Sequence, residues 1–197
     1  MASKTDKEKK KQLAISKVFF CQAWGEGHGK DGEKWRKAVA DHDGQFIYCV
    51  PWCAPRILRI RTGEENMSEF VGPDFGPGID KWKGAIIDHD GHIYCPPWHA
   101  SRVLHIDTKA GTAELIGPEF GPMQEKWRGG ILAADGAIYC QPWAAPRVLR
   151  IDTRTQQVEL IGPSCGAPGD GKWRAAVLAM DGCIYCPPHD ARQVLMI

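Results

Sequence analysis

Four tryptophans, Trp35, Trp82, Trp127 and Trp173, stand 47, 45 and 46 residues apart, and each opens a copy of one segment ending in a Val/Ile-Leu-x-Ile run. The chain is a fourfold internal repeat. A unit of that length built from several short strands has apolar faces it cannot bury alone, so it must stack against copies of itself. With 197 residues and 43% hydrophobic content, one folded body with a sizeable core is expected.

The third copy shows the unit most plainly. Trp127 to Ala134 (WRGGILAA) reads as an apolar strand, Asp135-Gly136 as a two-residue hairpin signal, and Ala137 to Cys140 (AIYC) as a second strand. The two prolines in Gln141 to Pro146 (QPWAAP) exclude regular strand and make this segment a loop. Arg147 to Asp152 is the third strand and Gln157 to Ile161 the fourth. The other copies repeat the plan, with Asp43-Gly44, Asp90-Gly91 and Asp181-Gly182 at the hairpin.

The fourth copy stops at Ile197, after its third strand, while Val18 to Gly25 precedes the first Trp and aligns with Glu69 to Gly76, placing Trp24 opposite Phe75 and Phe120. An N-terminal strand that completes the last blade would turn an open array into a ring and remove an unpaired edge. The expected fold is therefore all-β, a four-bladed β-propeller of four-stranded antiparallel blades. Residues 1–16 form a Lys-rich tail and residues 17–197 a single domain, with repeats starting near 34, 81, 126 and 172. A fragment of a larger propeller, or an open repeat array, is the competing architecture.

The unit W-x-x-A-V-L-x-x-D-G-x-I-Y-C-x-P-W followed by R-V-L-x-I-D resembles the propeller repeats of the NHL and gluconolactonase-like broad class, over residues 18–197. That resemblance implies fold and leaves activity open, because many functions share the architecture. Lactonases of the class hold a divalent metal at the axis with Glu, Asn and Asp. At the inner strands this sequence offers Ala38, Ala85, Gly130 and Ala176, with no visible counterparts to those ligands.

Charge supplies little direction. Lys plus Arg (25) nearly balances Asp plus Glu (24), so no global field gathers nucleic acid or an anionic membrane. No stretch approaches the roughly 20 apolar residues of a membrane span, and the start of the chain lacks the apolar region of a secretory signal. A cytoplasmic address follows as an expectation. Cys49, Cys95, Cys140 and Cys186 share one repeat position, about a blade apart, and read as reduced, packed thiols with no metal or cofactor.

Strand direction gathers two aromatic sets at one end of the blades. The strand-initiating tryptophans should be mainly core. Trp52, Trp98, Trp143 and His189 lie in the Pro-containing loops, with Arg56, Arg102 and Arg147 starting the third strands at the same end. Two readings compete: buried indoles tied to arginines that serve the fold, or exposed ones around a shallow basin. The loop set is the better recognition candidate. No unrepeated nucleophile and base, or carboxylate pair, marks an axis for catalysis, and His28, His42, His89, His99 and His105 read as surface residues. The expected function is a non-catalytic interaction or scaffold module for a protein partner. A glycan-binding, lectin-like propeller is the first alternative and a lactonase-like hydrolase the second.

Overall fold

The computed structural model describes residues 34–63, 67–166 and 171–197, and these form four antiparallel sheets with strand order following the chain. Blade 1 holds β1 (Trp35–Ala40), β2 (Phe46–Pro51), β3 (Ile57–Arg61) and β4 (Ser68–Val71). Blade 2 holds β5 (Ile86–Ile87), β6 (His92–Cys95), β7 (Val103–Asp107) and β8 (Thr112–Ile116). Blade 3 holds β9 (Ile131–Leu132), β10 (Ala137–Cys140), β11 (Val148–Asp152) and β12 (Val158–Ile161). In blade 4 the described strands are β13 (Val177–Leu178), β14 (Ile184–Cys186) and β15 (Leu195–Met196). The expected closing strand, Val18 to Gly25, and the Lys-rich tail lie outside the described residues. No helix among the described residues is long and apolar enough to cross a membrane.

Three apolar interfaces join the blades in order. Tyr48, Ile57 and Val71 of blade 1 meet Trp82, Ile93 and Leu104 of blade 2. Tyr94, Val103 and Ile116 then meet Trp127, Ile138 and Leu149 of blade 3, and Ala133 meets Trp173 and Ile184 of blade 4. A sheet in the middle of such a stack has both faces covered. This is why Val103, Leu104, His105 and Ile106 of β7 are all buried, without the in-out alternation of a one-sided strand.

The innermost strands are shorter than the sequence suggests. Only β1 runs as a continuous strand from its Trp; in the other blades Trp82, Trp127 and Trp173 join by isolated bridges to Pro97, Pro142 and Pro188. Close packing near the centre accounts for this. A Cβ on Gly84 would lie 2.8 Å from the Gly129 Cα, so adjacent inner segments pass backbone against backbone. The hairpins also differ by one residue from the expected two-residue turn. Asp88 pairs with His92, Ala133 with Ala137 and Ala179 with Cys183, enclosing three residues that end in Gly91, Gly136 and Gly182 with φ of 91°, 82° and 85°. Three-residue loops closed by a left-handed glycine form this bulged hairpin. Asp135 and Asp181 accept the backbone N–H two residues on, whereas in blade 2 Asp88 does so for Asp90.

Each strand-initiating indole is anchored alike. Trp35, Trp82, Trp127 and Trp173 donate Nε1–H to the carbonyls of Arg56, Arg102, Arg147 and Gln193 at 3.0, 3.0, 2.9 and 3.0 Å. Phe75 and Phe120 meet Trp82 and Trp127 edge-on at 5.2 and 4.9 Å. Because a backbone carbonyl is the acceptor, Gln193 serves as well as Arg. Trp127 is 1% exposed. Trp127→Ala should lower unfolding free energy by about 3 to 5 kcal/mol, read from urea transitions followed by circular dichroism.

Candidate functional site

The residue before each strand-initiating Trp is a lysine: Lys34, Lys81, Lys126 and Lys172. Its backbone links blades. The N–H of Lys81, Lys126 and Lys172 donates to the carbonyl of Trp52, Trp98 and Trp143 in the preceding blade at 3.0 Å each, while its own carbonyl accepts from Trp98, Trp143 and His189. The side chains of Lys81 and Lys126 turn inward and are buried. Lys81 Nζ donates to the carbonyls of Cys53 and Gly78 at 3.3 and 3.0 Å; Lys126 Nζ donates to those of His99 and Met123. Burial holds Lys126 down to about 8 and lowers Lys81 as well. Immediately before these lysines, Asp80 and Glu125 adopt φ of 60° and 57°, a left-handed bend that turns the chain into the site.

The residue after each Trp is also basic: Arg36, Lys83, Arg128 and Arg174. Three of these cations cover the loop tryptophans. The Arg36 guanidinium lies 4.7 Å from the Trp52 ring centre, Lys83 Nζ 5.7 Å from Trp52 and 3.9 Å from Trp98, and the Arg128 guanidinium 5.1 Å from Trp143. The rings themselves form a row. Trp98 and Trp143 are 6.1 Å apart and Trp143 and His189 5.0 Å apart, with Trp143 Nε1 donating to Glu125 Oε2 and His189 Nδ1 3.1 Å from Asp190. Along this row Trp52 and Trp98 are only 2% and 3% exposed, Trp143 is half-buried and His189 is exposed.

Burial therefore does not separate the two tryptophan sets as the sequence suggested. Trp52 and Trp98 are as enclosed as Trp82 and Trp127, and what they offer outward is the cation lying on each ring. Arg56, Arg102 and Arg147 do not supply those cations. Arg56 donates to the Gly72 carbonyl and Arg102 to the Gly117 carbonyl, both at 2.9 Å, fixing the ends of the outer strands, and Arg147 is exposed. Arg102 instead borders a separate cleft of about 550 Å³ with Phe75, Ile79 and His99. Sequence reading passed over Arg36, Lys83, Arg128 and Arg174, although a Lys-Trp-Arg/Lys triplet in every copy was their signal.

Like charges converge at this end of the blades. Burial first, then the Arg128 and Arg36 charges, hold Lys83 down to about 8 against the opposing pull of Glu125 and Asp80. Arg128 is lowered by burial and by Arg174 and Arg36. Among the described residues none of the four cations has a carboxylate ion pair. Lys37, beside them in sequence, is exposed.

The other chemistry-bearing groups lie elsewhere. All seven described cysteines are free; burial raises the thiols of Cys49, Cys95 and Cys140 and takes Cys186 to about 11. His105 is buried, not superficial, because it takes the strand position that Arg59 and Arg150 hold in blades 1 and 3, opposite Tyr94. Its Nε2 is 3.1 Å from His92 Nδ1 and its Nδ1 3.4 Å from Glu114, and burial lowers its pKa. His42 Nε2 lies 2.7 Å from the Asp88 carbonyl, and His89 is exposed beside the same hairpin. His28 lies outside the described residues. Among the described residues no group of three His, Cys, Asp or Glu side chains is arranged to hold a metal ion.

No family model and no curated protein matches the sequence. Solved structures do match in shape. A virginiamycin B lyase of Staphylococcus aureus is 15% identical, with 87% of this chain and 57% of that one covered at a TM-score of 0.64. A 6-phosphogluconolactonase-like protein of Bacteroides uniformis is 16% identical, covering 87% and 54% at 0.60. An auxiliary nutrient-binding protein of Bacteroides thetaiotaomicron is 15% identical, covering 83% and 44% at 0.51. The chain spans about half the length of these proteins. At such identities the likeness concerns the fold alone, and the fold is that of β-propeller proteins.

An ammonium 3.9 Å above an indole quenches or shifts its emission as it titrates. Tryptophan emission of the native protein should show a step with a midpoint of about 8, and that step should vanish in Lys83→Met while the far-ultraviolet spectrum stays unchanged.

Proposed function

We propose that this chain is a non-catalytic binding module that meets a protein partner with the end of its blades carrying Trp52, Trp98, Trp143 and His189. The observation that carries this reading is the layer of Arg36, Lys83 and Arg128 stacked on those rings, with no carboxylate ion pair among the described residues. Such cations contribute little to folding, since each is held near another of its own sign. A partner bearing acidic groups would relieve that repulsion and gain desolvated, charge-assisted contacts. The indoles beneath act as a rigid floor that fixes where the cations sit.

The proteins of like shape include a lyase, a lactonase-like protein and a nutrient-binding protein, so architecture does not choose among functions and the side chains must. For a hydrolase, Cys95 and Cys140 are poor nucleophiles because burial keeps their thiols protonated. For a lectin, sugar stacking requires bare indole faces, and Trp52 and Trp98 carry cations on theirs.

Tagged native protein and an Arg128→Glu variant, matched for thermal stability, provide the test. One stoichiometric protein should co-purify with the native chain and be lost from the variant. Equal retention by both, a Trp emission change on adding simple glycans, or lactone turnover abolished by a chelator would overturn the reading.

A further inference from the structure

Arg36, Lys83, Arg128 and Arg174 come from four different blades yet act on one another. Lys83 feels the charges of Arg128 and Arg36, and Arg128 feels those of Arg174 and Arg36. Glu125 and Asp80 oppose them at Lys83, and Glu125 Oε2 already accepts the indole N–H of Trp143. Among the described residues no ion pair with a carboxylate neutralises any of the four cations. A folding role does not call for this arrangement: each ring could be capped by an uncharged side chain, and crowded like charges cost stability.

We infer that the inner ends of the blades form an oxyanion site, with Arg36, Lys83 and Arg128 as donors, that takes a phosphate monoester. This deepens the reading proposed above, because a phosphorylated segment of a protein partner would present that group. A phosphate ester carries close to two negative charges at neutral pH and three acceptor oxygens, so one group can engage several of these cations at once. Guanidinium forks bind such oxygens two at a time, and an ammonium adds a compact point charge. Here the forks of Arg36 and Arg128 flank the Lys83 ammonium. Stacking on Trp52, Trp98 and Trp143 holds the three in place before a ligand arrives, which lowers the ordering cost of binding.

The same geometry ties binding to proton uptake. Lys83 is faced by Arg36, Arg128, Glu125 and Asp80 together with the rings of Trp52 and Trp98. A bound dianion favours its charged form, so at pH 8.5 phosphate binding should draw a proton onto Lys83.

Isothermal titration calorimetry of the native chain with inorganic phosphate, a phosphoserine peptide and the same peptide unphosphorylated tests the site. Phosphate and the phosphopeptide should bind and the unphosphorylated peptide should not. Arg128→Gln should weaken binding at least tenfold with melting temperature unchanged or raised, because it relieves repulsion. Lys83→Met should abolish the proton uptake at pH 8.5, seen as a loss of dependence on buffer ionisation enthalpy. If the phosphopeptide binds more tightly than phosphate alone, the source is a protein segment; equal affinity assigns the site to a free phosphorylated small molecule. Absence of phosphate and phosphopeptide binding at low ionic strength would overturn the inference, as would affinities unchanged in both variants. Either result would leave intact a protein partner captured in the preceding experiment, so the two readings fail separately.

Discussion

The blades are held to one another by a lysine backbone. At Lys81, Lys126 and Lys172 the peptide N–H reaches back to a Trp carbonyl in the preceding blade, while the peptide carbonyl serves the loop of its own blade. Apolar stacking alone would let neighbouring sheets slide, because hydrophobic contact has no direction. A directional hydrogen bond across each joint, at a fixed residue, removes that freedom. The buried amines of Lys81 and Lys126 complete the joint by satisfying loop carbonyls that would otherwise be stranded away from water. Everything presented at that end of the molecule, the indole row and the cations upon it, takes its position from this joint.

A second set of links spans the opposite side of the stack. Tyr48 and Tyr94 donate their hydroxyls to the carbonyls of Thr108 and Thr153, each in the turn after the third strand of the following blade. Tyr139 and Tyr185 donate instead to Asp135 and Asp181 in their own hairpins. The repeated Tyr is thus one residue with two uses. In blade 2, His105 in the place of Arg59 and Arg150 is a second departure from strict repetition. Blades 1 and 3 carry an exposed or half-exposed Arg–Glu pair there, whereas blade 2 buries His105 and stacks it on the half-buried His92 ring at 5.1 Å.

The periodicity of Trp35, Trp82, Trp127 and Trp173 was enough to read the number of units, their strand order and the end at which loops gather, because each depends on chain direction and apolar spacing. The cysteine reading also followed from repeat position, as equivalent sites in successive blades are too far apart to bond. Side-chain roles were less legible. Pro-Trp in a loop suggested exposure, but the cations that cover Trp52 and Trp98 come from the strand entry of their own or the next blade, a tertiary fact with no local signature. The arginines opening the third strands looked like partners for those rings because they share an end of the sheet. The Arg56 and Arg102 side chains turn to outer-strand carbonyls instead, and Arg147 is exposed. The extra hairpin residue escaped notice because Asp-Gly is compatible with either loop length.

Each unit presents one surface to the copy before it and a different, complementary surface to the copy after it. Contacts of that head-to-tail kind do not limit how many copies may follow one another; only the wedge angle at every joint does. Solved proteins of like shape run to about twice this length. Small changes where Gly84 passes Gly129 would alter that angle, and with it the spacing of the cations carried at the blade ends.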